Sequence, residues 1–313
     1  MSSWSPAASL GHAHAYLGAA VTASVFGPPL PLALRLYVVG GSGDSGDMES
    51  LGFFRTVFPP EPPSWAPDAA LPTPRFGHAV CAGYDHRIYA FGGRSNPAGA
   101  LLKSVAAFAP PIPLPEGAWT SVAAMPTARE RAAAAQGHDG MLYVAGGSDG
   151  PSLDLSAPLK TFQGYNIATD SWTKLPAMHT ARDGAAAVTG PDGRIYVIGG
   201  FGTAGSLSSV EAYDPTTKSW KFMASLATPR DGLAAVLGPD GQIYAIGGEN
   251  GPETLSSVEI YNFTSKTWSP GPSLSTARSY LAAATGTNGL IYAIGGNTAV
   301  LGPTASVEAL SAV

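Results

Sequence analysis

Only one cysteine, Cys81, occurs among the 313 residues, so an internal disulfide and a cysteine-built zinc centre are both excluded, and a reducing, cytoplasmic setting is expected. Cys81 lies in an apolar run and reads as a buried, inert thiol. Charge is scarce as well. Asp, Glu, Lys and Arg make up 12% of the chain, the net charge is −5, and Lys and Arg form no cluster. Nucleic acid is therefore not an expected partner, because its phosphates need a basic stripe. No apolar run approaches the roughly 18 residues needed to span a bilayer, and residues 2–5 lack a basic leader segment. Neither a membrane nor an exported form is expected.

Glycine and proline are abundant instead, at 39 and 28 residues, and they fall at regular intervals, as turn punctuation does in an all-β chain. The phrase apolar-Tyr-apolar-apolar-Gly-Gly recurs six times, with first glycines at 40, 92, 146, 199, 247 and 295. A period near 50 residues that fills the chain signals one supersecondary unit repeated. Arg75, Arg129, Arg182, Arg230 and Arg278 each stand 17 residues before a first glycine, and His14 takes the corresponding place in the first copy.

Each arginine is expected to open an Ala/Val-rich first strand. A glycine-containing turn such as Pro191-Asp192-Gly193 leads to the Tyr-containing second strand. A third strand such as 210–213 follows, then a fourth carrying Trp65, Trp119, Trp172, Trp220 or Trp268. Such a four-stranded meander cannot bury its own faces and must stack on neighbours.

The sixth copy runs out of chain before a tryptophan. Trp4, ahead of the first copy, supplies the missing one, so residues 2–5 are expected to add as the outermost strand of the sheet at 278–310 and to close the array. In the first copy, the residues between His14 and Gly40 include a proline-rich excursion, 26–33.

Together, the glycine pair, the upstream arginine and the downstream tryptophan resemble the kelch motif over essentially the whole chain. The resemblance implies a single domain, 1–313, folded as a six-bladed all-β propeller. Its blades would be near 14–67, 75–121, 129–174, 182–222, 230–269 and 278–310, the last completed by 2–5, with first strands lining a central channel. Kelch propellers serve as adaptors, scaffolds and enzymes, so fold leaves function open.

The segments after each glycine pair and before each first strand are expected to share one face. Ligand-binding candidates there are Tyr16, Arg94, Asn96, Arg131 and Tyr280, chosen because they depart from the repeat. In family adaptors that take acidic peptides, arginines in these places make the contacts; only Arg94 and Arg131 match, which argues against a strongly acidic partner. The recurring arginines read as structural, joining blade to blade through Glu211, Glu259 and Glu308.

Glu130, Asp183 and Asp231 each follow an arginine and are candidates for acid/base catalysis if they face one cavity. A metal site is not expected: His12, His14 and His78 are the only combination to consider, and they lack further ligands. The iron motif Glu-x3-Asp-x3-His of specifier-type kelch proteins is absent, and no cofactor is expected. The leading expectation is a monomeric, non-enzymatic module presenting this face to a protein or peptide. The alternative is an enzyme acting on a small polar molecule, epimerase-, mutarotase- or cyclase-like, which would require a closed pocket of roughly 300 Å3 or more at the loop face.

Overall fold

The computed structural model describes residues 3–24, 33–43, 51–55, 64–95, 99–110, 117–152, 156–286 and 288–312; the proline-rich excursion expected at 26–33 lies almost wholly outside them. Among the described residues every regular element is a strand or bridge, and no helix is long and apolar enough to cross a membrane. Six four-stranded antiparallel sheets are present. The first comprises Gly18–Ser24, Ala33–Val39, Leu51–Arg55 and Ser64–Asp68. The second comprises Ala79–Ala82, Ile88–Phe91, Val105–Ala109 and Ala118–Val122. Ala133–Gln136, Met141–Ala145, Phe162–Asn166 and Ser171–Leu175 form the third. The fourth holds Ala186–Thr189, Ile195–Ile198, Val210–Asp214 and Ser219–Phe222, and the fifth Ala234–Leu237, Ile243–Ile246, Val258–Asn262 and Thr267–Gly271. Ala282–Thr285, Leu290–Ile294 and Val307–Ser311 make the sixth, with Ser5–Ala7 as its outer strand.

The innermost strands are neighbours in a cycle that returns from Ala282–Thr285 to Gly18–Ser24. Their burial alternates, as in Ala186–Thr189 and Ala234–Leu237, because one face packs between sheets and the other lines a channel of about 530 Å3. Alanine dominates this wall because converging strands leave no room for larger side chains. The second strands, such as Ile195–Ile198, are buried on both faces. In four of them the tyrosine hydroxyl donates to the aspartate of the preceding turn, as Tyr89 does to Asp85 (2.7 Å) and Tyr196 to Asp192 (2.9 Å).

Three expectations are corrected. The arginines do not begin the inner strands, which start four residues later, as Ala186 does after Arg182; the intervening residues form the rim of the channel. The outer strand of the last sheet is Ser5–Ala7 rather than residues 2–5, with Ser5 opposite Ala309 and Ala7 opposite Val307. Trp4 precedes it and donates from its indole to the Pro272 carbonyl (2.8 Å), as Trp220 does to Pro176 and Trp268 to Ala224.

The arginines, thirdly, bond mainly within their own repeat. Arg182 donates to the Gly199 and Ser209 carbonyls and to Glu211 (2.7 Å), and Arg230 and Arg278 pair likewise with Glu259 and Glu308. The seam between repeats is made instead by the arginine's carbonyl, which accepts from the second glycine of the preceding doublet: Gly147 to Arg182 (3.0 Å), Gly200 to Arg230 (2.9 Å) and Gly248 to Arg278 (2.9 Å). His14 completes the series by accepting from Gly296 (2.7 Å). A Cβ on the first glycine of each doublet would collide with that same carbonyl, so the doublet must be glycine where two repeats meet.

Candidate binding face

At the end of the channel near the glycine doublets, the residue two past each arginine position turns back on itself with positive φ. Tyr16, Gly77, Arg131, Gly184, Gly232 and Tyr280 have φ between 50° and 61°. Their backbones form a closed circuit of hydrogen bonds. Gly77 donates to Tyr16, Arg131 to Gly77, Gly184 to Arg131, Gly232 to Gly184, Tyr280 to Gly232 and Tyr16 to Tyr280, at 2.6–3.1 Å.

Glycine meets this geometry freely, whereas a residue with a Cβ is disfavoured there by roughly 1–2 kcal/mol. Three of the six positions nevertheless carry large side chains, and these roof the channel. Tyr16 stacks on Tyr280 with ring centroids 4.1 Å apart and planes 26° apart. The Tyr280 ring lies over Gly232, where a Cβ would come within 3.1 Å of it, and the Arg131 stem lies over Gly77. Between these groups a cavity of only about 100 Å3 remains, lined by Tyr16, Gly77, His78, Arg131, Gly184 and Tyr280 among others.

Carboxylates surround this roof. Asp183 is buried and accepts from Arg131 Nη2 (2.9 Å) and from Ser156. Glu130 is fully buried and accepts from Arg94 Nε (2.8 Å). Burial pushes both carboxyls above the usual range, against the pull of the paired arginines. Among the described residues Asp231 has no arginine partner. It accepts from Ser206 Oγ (2.6 Å), and the Tyr280 hydroxyl lies 3.3 Å from it and 3.1 Å from Glu249. Burial, with Glu249 adding repulsion, pushes Asp231 up to about 6, and burial pushes the Tyr16 phenol up to about 12.

The structure brings Tyr16, Arg131 and Tyr280 together and places Arg94 elsewhere. Arg94 is buried, with its guanidinium donating to Glu130 and to the carbonyls of Gly99, Gly150 and Pro151. It ties the loop of the second repeat to that of the third, and with the residue 5% exposed its guanidinium is spent on these bonds rather than presented to a ligand. Asn96 lies outside the described residues. His12, exposed, and His14, which pairs with Gly43 in a short strand of the face, stand edge to face with ring centroids 6.5 Å apart, while His78 is buried beside Gly40. Among the described residues no group of three His, Cys, Asp or Glu is placed to hold a metal.

Sequence reasoning placed Phe201, 37% exposed, among the side chains after the glycine doublets, but missed Ser156 and Ser206, which orient Asp183 and Asp231, and Val300 and Leu301 on the same face, 89% and 83% exposed. The irregular hairpins after the glycine doublets were the available signal.

A family model described as the Kelch motif matches residues 131–179, 184–227 and 232–275. The chain is 31% identical over 152 residues to a Kelch-like protein, terF, of Aspergillus terreus, covering 47% of this chain and 32% of that one. It is 28% identical over 169 residues to Kelch-like protein 36 of Bos taurus, covering 53% and 25%. The chain thus matches a third or less of the length of these relatives. Among solved structures, one titled "Structure of YjhT" superposes with a TM-score of 0.73 at 17% identity, covering 97% of this chain and 96% of that chain, a likeness of fold alone.

Proposed function

The chain is a kelch-repeat β-propeller protein, and on that premise we propose that its loop face is a docking surface for a protein or peptide rather than a chamber for chemistry. The observation that carries this reading is the roof. Tyr16, Arg131 and Tyr280 fill the mouth and leave about 100 Å3, against the roughly 300–1,000 Å3 of pockets that enclose a small-molecule substrate. The wider channel beneath is walled largely by Ala, Val and Leu, and its wall lacks the convergent acid and base that carboxylate chemistry needs. Of the three carboxylates considered for catalysis, Glu130 and Asp183 are held by arginines.

The six sheets are read as six blades of one ring, 1–313, fastened where Ser5–Ala7 pairs with Val307–Ser311. In this reading the regular repeats hold the hairpins in place, and the exposed Phe201, Val300 and Leu301 give the face its apolar contacts.

Two variants test the proposal by biolayer interferometry against peptides selected on the intact chain from a phage-displayed library. Val300→Asp with Leu301→Asp should abolish binding, while Tyr84→Asp, in an exposed turn at the far end of the channel, should leave it unchanged. Binding that survives the first variant and is lost in the second would place the docking surface at the wrong end.

A further inference from the structure

We propose that the segment received by the loop face carries a basic side chain next to an aliphatic one, with the cation set against Glu249 and Glu253, above the buried Asp231, and the aliphatic group against Phe201, Val300 and Leu301. This rests on reading the loop face as a docking surface and names what that surface selects.

Charge complementarity decides the partner's chemistry. The arginines of this face, Arg94 and Arg131, are already neutralised by Glu130 and Asp183 at 2.8 and 2.9 Å. Asp149, Asp231, Glu249 and Glu253 form no ion pair among the described residues. The face therefore presents negative charge with no internal counter-charge, and an arriving cation meets it without displacing an existing pair. An acidic segment would meet repulsion and find no free arginine.

Asp231 and Glu249 are also held in position. Ser206 Oγ donates to Asp231 and accepts from the Gly251 amide (3.3 Å), which joins the hairpin of the fourth repeat to that of the fifth. Tyr280 reaches both Asp231 and Glu249 from below. Little ordering is left to do when a ligand arrives, so less of the interaction is lost to entropy. Phe201 stands on the hairpin that contributes Ser206, opposite it in register. Val300 and Leu301 cap the hairpin of the sixth repeat, the next one round after the hairpin bearing Glu249 and Glu253. Apolar and acidic groups thus alternate along three successive hairpins, and a segment with both kinds of side chain matches that alternation.

The experiment pans a phage-displayed random heptapeptide library on the intact chain at low salt, then measures the winning peptides as fluorescein conjugates by polarisation. Enriched sequences should place Arg or Lys beside Leu, Ile or Val. Glu249→Gln with Glu253→Gln should weaken them about tenfold, because two exposed ion pairs are lost, and raising the salt should weaken them further. Val300→Ser with Leu301→Ser should weaken the same peptides independently. Acidic or uncharged winners that the serine variant abolishes would overturn the choice of a cation and leave the docking surface standing. Winners indifferent to both variants, or no enrichment over heat-unfolded protein, would overturn the docking surface as well. Melting curves matching the parent's secure the comparison.

Discussion

At position 78 a histidine occupies the slot that leucine fills in three other repeats: Leu17, Leu233 and Leu281 each pack against a first glycine of the neighbouring doublet, as His78 does against Gly40. Burial, aided by Arg75, pushes its imidazole down to about 3. An unfolded chain takes up this proton as pH falls below about 6.5, whereas the folded protein refuses it until about 3. The folded state is therefore progressively disfavoured as pH falls through that window. His78→Leu should raise the thermal midpoint, and by more at pH 5 than at pH 8. A difference that does not change between these pH values would show that the histidine is not held neutral.

Five of the six repeats fasten their third strand to the rim through a buried arginine, and they differ in how well that arginine is matched. Arg182, Arg230 and Arg278 have glutamate partners at 2.6–2.7 Å. Arg129 meets Gln163 at only 3.5 Å, and Arg75 has Ser104 in place of a carboxylate; burial pulls both guanidinium groups down to about 10. The second and third repeats thus lack the counter-charge that Glu211, Glu259 and Glu308 supply, and not the strand that would carry it, since Val105–Ala109 and Phe162–Asn166 both form. Gln163 stands where Glu211 stands one repeat later, each opposite the middle of its second strand. Gln163→Glu should therefore stabilise the protein by about 1 kcal/mol through a charge-assisted bond, read as a raised urea midpoint at pH 7.5. A lowered midpoint would mean that desolvating the new carboxylate outweighs its attraction to Arg129.

For the whole molecule, the sixth sheet draws its outer strand from the other end of the sequence, Ser5 pairing with Ala309 and Ala7 with Val307, while His14 supplies the last carbonyl of the seam. Removing residues 1–7 would delete that strand and the Trp4 contact with Pro272, leaving the Val307–Ser311 edge unpaired. The thermal midpoint should fall by several degrees, and light scattering should detect self-association. A truncated chain that melts and elutes as the parent does would show that closure does not depend on this strand.

Much of this was legible because a repeat states each rule several times. The doublets, arginines and tryptophans located strands and seams, and the odd tryptophan at position 4 pointed to the terminal sheet, although three residues too early. Within the candidate site, Tyr16, Arg131 and Tyr280 stood out as departures from glycine at one repeat position. Arg94 showed the limit, since its side chain is consumed by Glu130 and three carbonyls. The serines that orient Asp183 and Asp231 lie in hairpins that share no register with the repeat. The sequence alone determined the repeated unit, because short-range turn chemistry and strand alternation are written in neighbouring residues. Only the tertiary structure decided which charges are free and that the mouth is roofed. Those depend on groups from different repeats meeting across the ring, at separations such as the 49 residues between Tyr280 and Asp231, which no local pattern encodes.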